Sequence, residues 1–425
     1  MSSDPTTECF VYITLPGQTE PVTAGRFSLT MTRRGVPVGQ FVYGRSFLER
    51  PDAVPFDPIE LKLSQRTYET TALKGVFGAL RDASPDYWGR HVIQRHMGQA
   101  QPSELDYLLH SPDDRAGALG FGLNQVPPAP KRAFNQTLDL ADLQGIADAI
   151  VADGDHPVDT AYEQVKNLML IGTSMGGARP KAVVEDDEGL WIAKFSHPDD
   201  QWNNARVEQA MLLLARACGL TTAHSRVIDV ADRDVLLVKR FDRERTLQGY
   251  QRARMVSALT LLGAEDTYQS RDKWSYVLLA EELRRISADA AEDAKELFRR
   301  MCFNALISNI DDHPRNHALL AKQKDWKLSP AYDLSPAVPV SRDRRDLAME
   351  CGDAGRFANA ANLLSQSARF LLGRDEATAI IETMEVQVRA GWYATARGAG
   401  VSERDCEHIA RAFVYPGFRQ DQSEQ

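Results

Sequence analysis

Apolar and polar residues alternate from Glu8 to Leu15, the period of a half-buried strand. Phe77 to Asp82 leads into Trp88 and His91 to Arg95 with helical spacing, and Gly117 to Leu123 is punctuated by glycines. A breaker run, Val126-Pro127-Pro128-Ala129-Pro130-Lys131-Arg132, predicts a domain boundary. Beyond it the spacing predicts a helix from Leu138, capped by Thr137, with Leu140, Leu143, Ile146 and Ile150 on one face. A glycine-rich turn, Gly172 to Lys181, precedes two strand-like runs, Ala182 to Glu185 and Leu190 to Phe195, joined by the hairpin turn Asp186-Asp187-Glu188-Gly189. Asn204 to Cys218 carries the stripe Val207, Met211 and Leu214 and stops at Gly219, a natural residue just past a helix end. Val235 to Val238 reads as a buried strand. Ala290 to Ser308 reads as a helix with Leu297, Met301 and Ala305 on one face, and His317 to Ala321 with Trp326 to Leu328 as a second hairpin. From about Arg356 the pattern is helical. Ser402-Glu403-Arg404-Asp405 resembles a capping box with Asp in place of Glu, and the polar tail from Tyr415 is expected to fray.

Length and charge narrow the class. A chain of 425 residues predicts about three domains. With 43% hydrophobic and 26% charged residues it is an ordinary globular composition, which excludes a collagen-like or mostly disordered chain. No stretch reaches a membrane-spanning length of uninterrupted apolar residues, so no membrane partner is expected. Met1 to Glu8 has neither a basic nor an apolar leader segment, so no secretory signal is expected and the cytoplasm is the expected location. A net charge of −9 argues against whole-surface nucleic-acid binding. The five cysteines, Cys9, Cys218, Cys302, Cys351 and Cys406, show no metal or disulfide spacing and read as free thiols.

The segment that points to chemistry is Asn309-Ile310-Asp311-Asp312-His313-Pro314-Arg315-Asn316. An Asp followed five positions later by an Asn, between a helix and a strand, is how kinase catalytic loops are built. The Asp receives or orients the acceptor hydroxyl, and the Asn oxygen holds Mg²⁺. Alone the pattern is weak, since a chain of this composition yields about one such pair by chance, and an Asx-rich turn is the plain alternative. Three features add to it. Asp333, in Tyr332-Asp333-Leu334-Ser335-Pro336, follows the second hairpin, where a kinase places its other metal ligand. Lys194 ends an apolar strand, where a lysine is unusual unless paired, and Glu208 on the next helix is placed to hold it; a strand-end lysine that snorkels is the alternative. Gly176-Gly177-Ala178-Arg179-Pro180-Lys181 lets backbone N–H groups approach phosphate oxygens, and Lys181 adds a charge, although this is neither a Walker A loop nor G-x-G-x-x-G. His313 reads as an orienter bonded to backbone rather than a proton carrier. Arg342, Arg344 and Arg345 read as a solvated basic face, with a phosphate, protein-partner or DNA contact as the sharper alternative.

Taken with Ser174-Met175-Gly176-Gly177-Ala178-Arg179-Pro180-Lys181, Ile192-Ala193-Lys194-Phe195, Lys239-Arg240-Phe241-Asp242-Arg243 and the Asp311…Asn316 and Tyr332…Pro336 segments, the chain resembles the HipA family of bacterial serine/threonine kinases, toxins of HipBA-type toxin–antitoxin systems. Phe77 to Pro85 and Trp88-Gly89-Arg90 resemble that family's N-terminal subdomain. The resemblance implies an α+β, protein-kinase-like bilobal fold: an N-terminal subdomain over 1–126, a nucleotide-binding lobe over 137–240 and a mostly helical lobe over 241–415. It implies ATP and Mg²⁺ as cofactors, Asp311 as the catalytic residue, and Asn316 and Asp333 on the metal. It puts Lys181, Lys194 and the backbone around Gly176 to Arg179 on the phosphates. Lys239, Arg240 and Phe241 become the adenine hinge, through main-chain atoms. Ser174 matches a serine that family members autophosphorylate; added charge there would repel the γ-phosphate. The implied partners are a helix-turn-helix antitoxin, which would carry most contact with operator DNA, and a cytoplasmic protein substrate such as glutamyl-tRNA synthetase. Two other readings stand beside this one: a small-molecule kinase like the aminoglycoside and choline phosphotransferases, and a nucleotide-binding co-repressor without activity.

Overall fold

The computed structural model describes residues 7–98, 101–130, 134–152, 179–197, 199–338 and 341–419. The chain divides into two compact units. The first comprises Met1–His197, Lys239–Val256 and Leu320–Asp325; the second comprises Pro198–Val238, Ser257–Leu319 and Trp326–Gln425.

The first unit opens on an antiparallel sheet of β1 (Glu8–Thr14), β2 (Pro21–Met31), β3 (Pro37–Tyr43), β4 (Tyr68–Thr70) and β5 (Leu119–Gly122), in the order β4-β3-β2-β1-β5. Val11, Ile13, Phe27 and Phe41 are fully buried. The helical stretch after Phe77 is broken in two, Gly78–Asp82 and Tyr87–Met97, because Pro85 cannot continue a helix. Asp86 then accepts the Gly89 N–H at 2.8 Å. Past the proline run, β6 (Asn135–Gln136) lies parallel to β7 (Lys181–Asp186), which pairs antiparallel with β8 (Gly189–Lys194). The hairpin closes on Asp187 and Glu188, and Gly189 takes φ +122°, a conformation that side chains resist.

Thr137 is not the cap of the next helix. A short 3-10 turn, Thr137–Asp139, precedes Leu140–Ala152, and Gln136 forms the reciprocal box with Asp139. Leu140, Leu143, Gln144 and Ala147 are buried while Ile146 is only half-buried, so the inward face is rotated from the expected one. The Ile150 side chain lies outside the described residues.

In the second unit, β9 (Ser225–Val230) and β10 (Arg233–Lys239) form an antiparallel pair. Helix Asn204–Ala217 starts at Asn203, whose side chain accepts the Arg206 N–H, and stops at Gly219 with φ +84°. Val207, Met211 and Leu214 are buried, as the pattern predicts. Helix Ala290–Ile307 is buried all round in its second half and packs against Tyr276–Ile286 and Arg374–Gly398, the latter also lying on Asn204–Ala217. The Ser402 hydroxyl caps its helix, but only half of the expected box is seen: Asp405 instead accepts the Asn203 N–H at 3.2 Å. All five cysteines are free and buried. Among the described residues no helix is long and apolar enough to cross a membrane.

Candidate active site

Helix Ala290–Ile307 ends at Ser308, a left-handed residue with φ 56°. Its exit is held twice, by Asn309 N–H donating to the Asn304 carbonyl at 2.9 Å and Asn309 Nδ2 donating to Asn304 Oδ1 at 3.0 Å. The loop then tightens. His313 N–H donates to the Asp311 carbonyl at 2.8 Å, Pro314 opens a single 3-10 turn with its preset φ, and Asn316 N–H returns to the His313 carbonyl at 2.9 Å. Asp311 keeps part of its surface exposed and part covered, whereas Asp312 is 1% exposed.

Asp311 and Asn316 meet directly. Asn316 Nδ2 lies 3.5 Å from the Asp311 carbonyl oxygen, which directs its donor end into the loop and leaves Oδ1 as the acceptor end. Asp333 comes to the same place. Its segment is tied to the loop by Tyr332, whose hydroxyl donates to the Arg315 carbonyl at 2.7 Å, and to the start of the unit by Ala331, which exchanges backbone bonds with Thr221 and Ala223. Asp333 itself has φ 61°, a strained conformation for a side-chain-bearing residue that such sites retain. The Asp311 carboxyl is raised above its ordinary range, mainly by burial and further by the charges of Asp333 and Asp312, with His313 and Arg271 pulling the other way. A carboxyl moved toward neutrality is a better proton acceptor at working pH than an ordinary aspartate.

His313 packs edge-on to Trp274 at 6.3 Å, and its buried Nδ1 has no hydrogen-bond partner among the described residues, so packing rather than a bond from Nδ1 to backbone sets the ring. The next residue but one upstream of the Asn, Pro314, and the buried Asp312 complete the loop. Asp312 was not singled out by sequence; its Oδ2 accepts from Tyr276, Asn304 and His317.

In the first unit, Lys181 and Lys194 are direct register partners across β7 and β8, so their side chains rise from the same face of the sheet. Two ammonium groups placed opposite repel each other. Asp86 offsets this, with Oδ2 2.7 Å from Lys181 Nζ. Lys194 is half-buried. Lys239 lies over the Trp191 ring at 5.5 Å and 3.7 Å from Glu188. Arg240 is 2% exposed, and its guanidinium is bound to Asp242 and to the Asp114 and Arg115 carbonyls, while its N–H donates to the Leu190 carbonyl at 2.9 Å. Its side chain is therefore committed to the interior. Phe241 is half-buried and Arg179 exposed; Glu208, in the second unit, is half-buried on its helix. Ser174, Gly176, Gly177 and Ala178 lie outside the described residues. Of the basic cluster, Arg345 is 5% exposed and donates to the Ser341, Arg411 and Ala412 carbonyls while stacking on Tyr415, so it is not part of a solvated face.

No cluster of three or more His, Cys, Asp or Glu suited to a metal occurs among the described residues. The amide oxygen of Asn316 and the carboxylate of Asp333 are two hard oxygen donors. Such a set fits a Mg²⁺ ion that keeps its remaining positions for water and phosphate, not a metal held by protein alone.

Comparison with known proteins places the chain in a family. The model of the HipA-like C-terminal domain matches residues 173–392 and that of the HipA N-terminal domain matches 22–122. Y4mE of Sinorhizobium fredii, named as a kinase, is 31% identical over 326 residues, covering 73% of this chain and 75% of that protein. Y4dM of the same organism, also named as a kinase, is 28% identical over 169 residues, 36% of this chain and 39% of that one. The solved HipA of Shewanella oneidensis MR-1, in a complex with HipB and its operator DNA, superposes with a TM-score of 0.67 over 92% of this chain and 93% of that one, at 15% identity. The chain belongs to the HipA family.

Proposed function

We propose that this protein is an ATP-dependent serine/threonine protein kinase of HipA type, the toxin of a toxin–antitoxin module. The observation that carries the reading is the approach of Asp311 and Asn316 on one loop, with the segment of Asp333 tied to that loop through Tyr332 and the Asp311 carboxyl raised in part by the Asp333 charge. Asp311 receives or orients the acceptor hydroxyl proton. Asn316 and Asp333 hold Mg²⁺, which neutralises phosphate charge when bound. Lys181 and Lys194, side by side on one sheet face, supply positive charge to the phosphates, with the backbone of Gly176 to Arg179; main-chain atoms of Lys239 to Phe241 meet adenine. Glu208 orients the strand lysine.

The partner in this reading is a small helix-turn-helix antitoxin that supplies most contact with operator DNA, which suits a chain of net charge −9. The acceptor is a cytoplasmic protein, for which an aminoacyl-tRNA synthetase is the candidate, and Ser174 is the autophosphorylated residue. Incubation with γ-labelled ATP tests this. Label on the chain itself, absent from Ser174→Ala, is expected. Asp311→Gln should abolish transfer while ATP affinity stays within about tenfold, since that carboxylate acts on the transferring group. Turnover retained in Asp311→Gln, or label found only on an added amino-sugar or choline, would overturn the proposal.

A further inference from the structure

Asp312 stands next to the proposed catalytic residue yet cannot touch a substrate, because it is 1% exposed. One of its oxygens, Oδ2, accepts three hydrogen bonds: from the Tyr276 hydroxyl, from Asn304 Nδ2 at 2.7 Å and from His317 Nε2 at 2.7 Å. The three donors come from three places, the first residue of helix Tyr276–Ile286, the last turn of helix Ala290–Ile307, and the far end of the loop. Tyr276 and Asn304 are fully buried and His317 is 2% exposed. For Nε2 to donate, the His317 ring carries its proton there. The ring is also held edge-on to Tyr276 at 5.6 Å, while its Nδ1 is buried without a hydrogen-bond partner among the described residues. A buried carboxylate that gathers three donors is costly to disturb, and none of its donors is a lysine or arginine.

The position of the bond in the chain matters as much as its strength. Asp312 and His317 close the loop upon itself, and each is preceded by one member of the proposed site: Asp311 before Asp312, Asn316 before His317. We infer that Asp312 is a positioning residue for phosphoryl transfer, clasping His317 so that the peptide units bearing Asp311 and Asn316 are held in one fixed relation. The inference rests on the kinase reading for its consequence, although not for its geometry. Asp312 is not a metal ligand: Oδ2 is saturated by protein donors and the side chain has no access to solvent. Displacements of about 1 Å in such a site cost on the order of a hundredfold in rate.

The test uses the full chain and compares wild type, Asp312→Asn and the reciprocal exchange Asp312→Asn/Asn304→Asp, which returns one carboxylate and one amide to the same buried pair. Melting curves establish that each variant is folded. Asp312→Asn is expected to lower kcat by about 10- to 100-fold with KM for ATP changed less than about threefold, and the exchange to return kcat to within about fivefold of wild type. Amide hydrogen exchange gives a readout independent of turnover. Protection of the His313 and Asn316 N–H groups, whose bonds shape the loop, should fall in Asp312→Asn and recover in the exchange. Unchanged kcat with unchanged protection in a folded Asp312→Asn overturns the inference, as does a change confined to KM, or an exchange variant that folds but recovers neither quantity. If wild type itself transfers no phosphate, the kinase reading fails and the protection measurement still decides whether Asp312 organises the loop.

Discussion

Lys181 Nζ lies 2.7 Å from Asp86 Oδ2, and both side chains are only 3% exposed. The two residues are 95 positions apart, so the strand lysine expected at the nucleotide phosphates is held by the segment that begins helix Tyr87–Met97. Removing one partner of a buried pair strands the other charge. Asp86→Ala should therefore lower stability by roughly 3–5 kcal/mol in urea titrations, part of it from the lost bond to the Gly89 N–H. Asp86→Ala/Lys181→Met should recover more than half of that loss, and no recovery would show the ion pair to be unimportant.

Asp242 is the clearest acid-sensitive group. It is fully buried and accepts bonds from Arg240, Arg243 and the Gly117 N–H. Burial alone would raise its pKa, but the two guanidinium charges outweigh burial and hold it well below the usual carboxylate range. A depressed folded value contributes stability above the ordinary aspartate range near pH 4 that is lost as pH falls toward the folded value. Asp242→Asn should be less stable than wild type at pH 7, and the difference should shrink as the two are compared at progressively lower pH below 4.

Asp57 has the opposite sign. Its Oδ1 accepts the Ile59 and Glu60 N–H groups, but Oδ2 is buried with no partner among the described residues, and burial raises its pKa from 3.8 to about 6. The folded state then binds the proton more tightly than the unfolded chain, so stability falls as pH rises from about 4 to 6 and stays lower above that. Asp57→Asn is expected to stabilise the protein by roughly 1–3 kcal/mol at pH 8, with the gain vanishing near pH 4. A gain of equal size at both pH values would rule out ionisation as its cause.

Asn316→Ala tests the metal assignment separately from the catalytic one. The loop keeps its backbone bonds, since Asn316 N–H rather than its side chain closes the turn on His313. The concentration of Mg²⁺ giving half-maximal transfer should rise at least about tenfold, with saturating Mg²⁺ restoring part of the rate. An unchanged Mg²⁺ dependence would remove Asn316 from the ligand set.

Local elements were legible where one periodicity ran without interruption. Asn204–Ala217 and Ala290–Ile307 carry clean apolar stripes, and Gly219 marks one end. The β7–β8 hairpin was legible because its turn residues are explicit. Capping was read less well. Thr137 looked like a cap by residue type, but Gln136 serves with Asp139. Asp405 fits half a box, yet its carboxylate is taken by Asn203, 202 residues earlier. Of the candidate site, Asp311 and Asn316 were readable because five positions on one short loop separate them, and Asp333 because it follows the second hairpin. Asp312, Lys181–Asp86 and Arg240–Asp242 were not, because a sequence pattern reports which face is apolar and not which distant donor fills a buried acceptor.

The arginines after β10 have a consequence for how this chain can be cut. Arg240 and Arg243 donate to the carbonyls of Asp114, Arg115 and Gly117, and Arg115 in turn donates to Leu108 and Ser111. A fragment that began after the proline run at 127–130 would keep both guanidinium groups and lose four bonds between those two arginines and the chain at 114–117. What looks like a severable leader is thus a splint for the strand exit, and trimming it should yield an insoluble remnant instead of a smaller working enzyme.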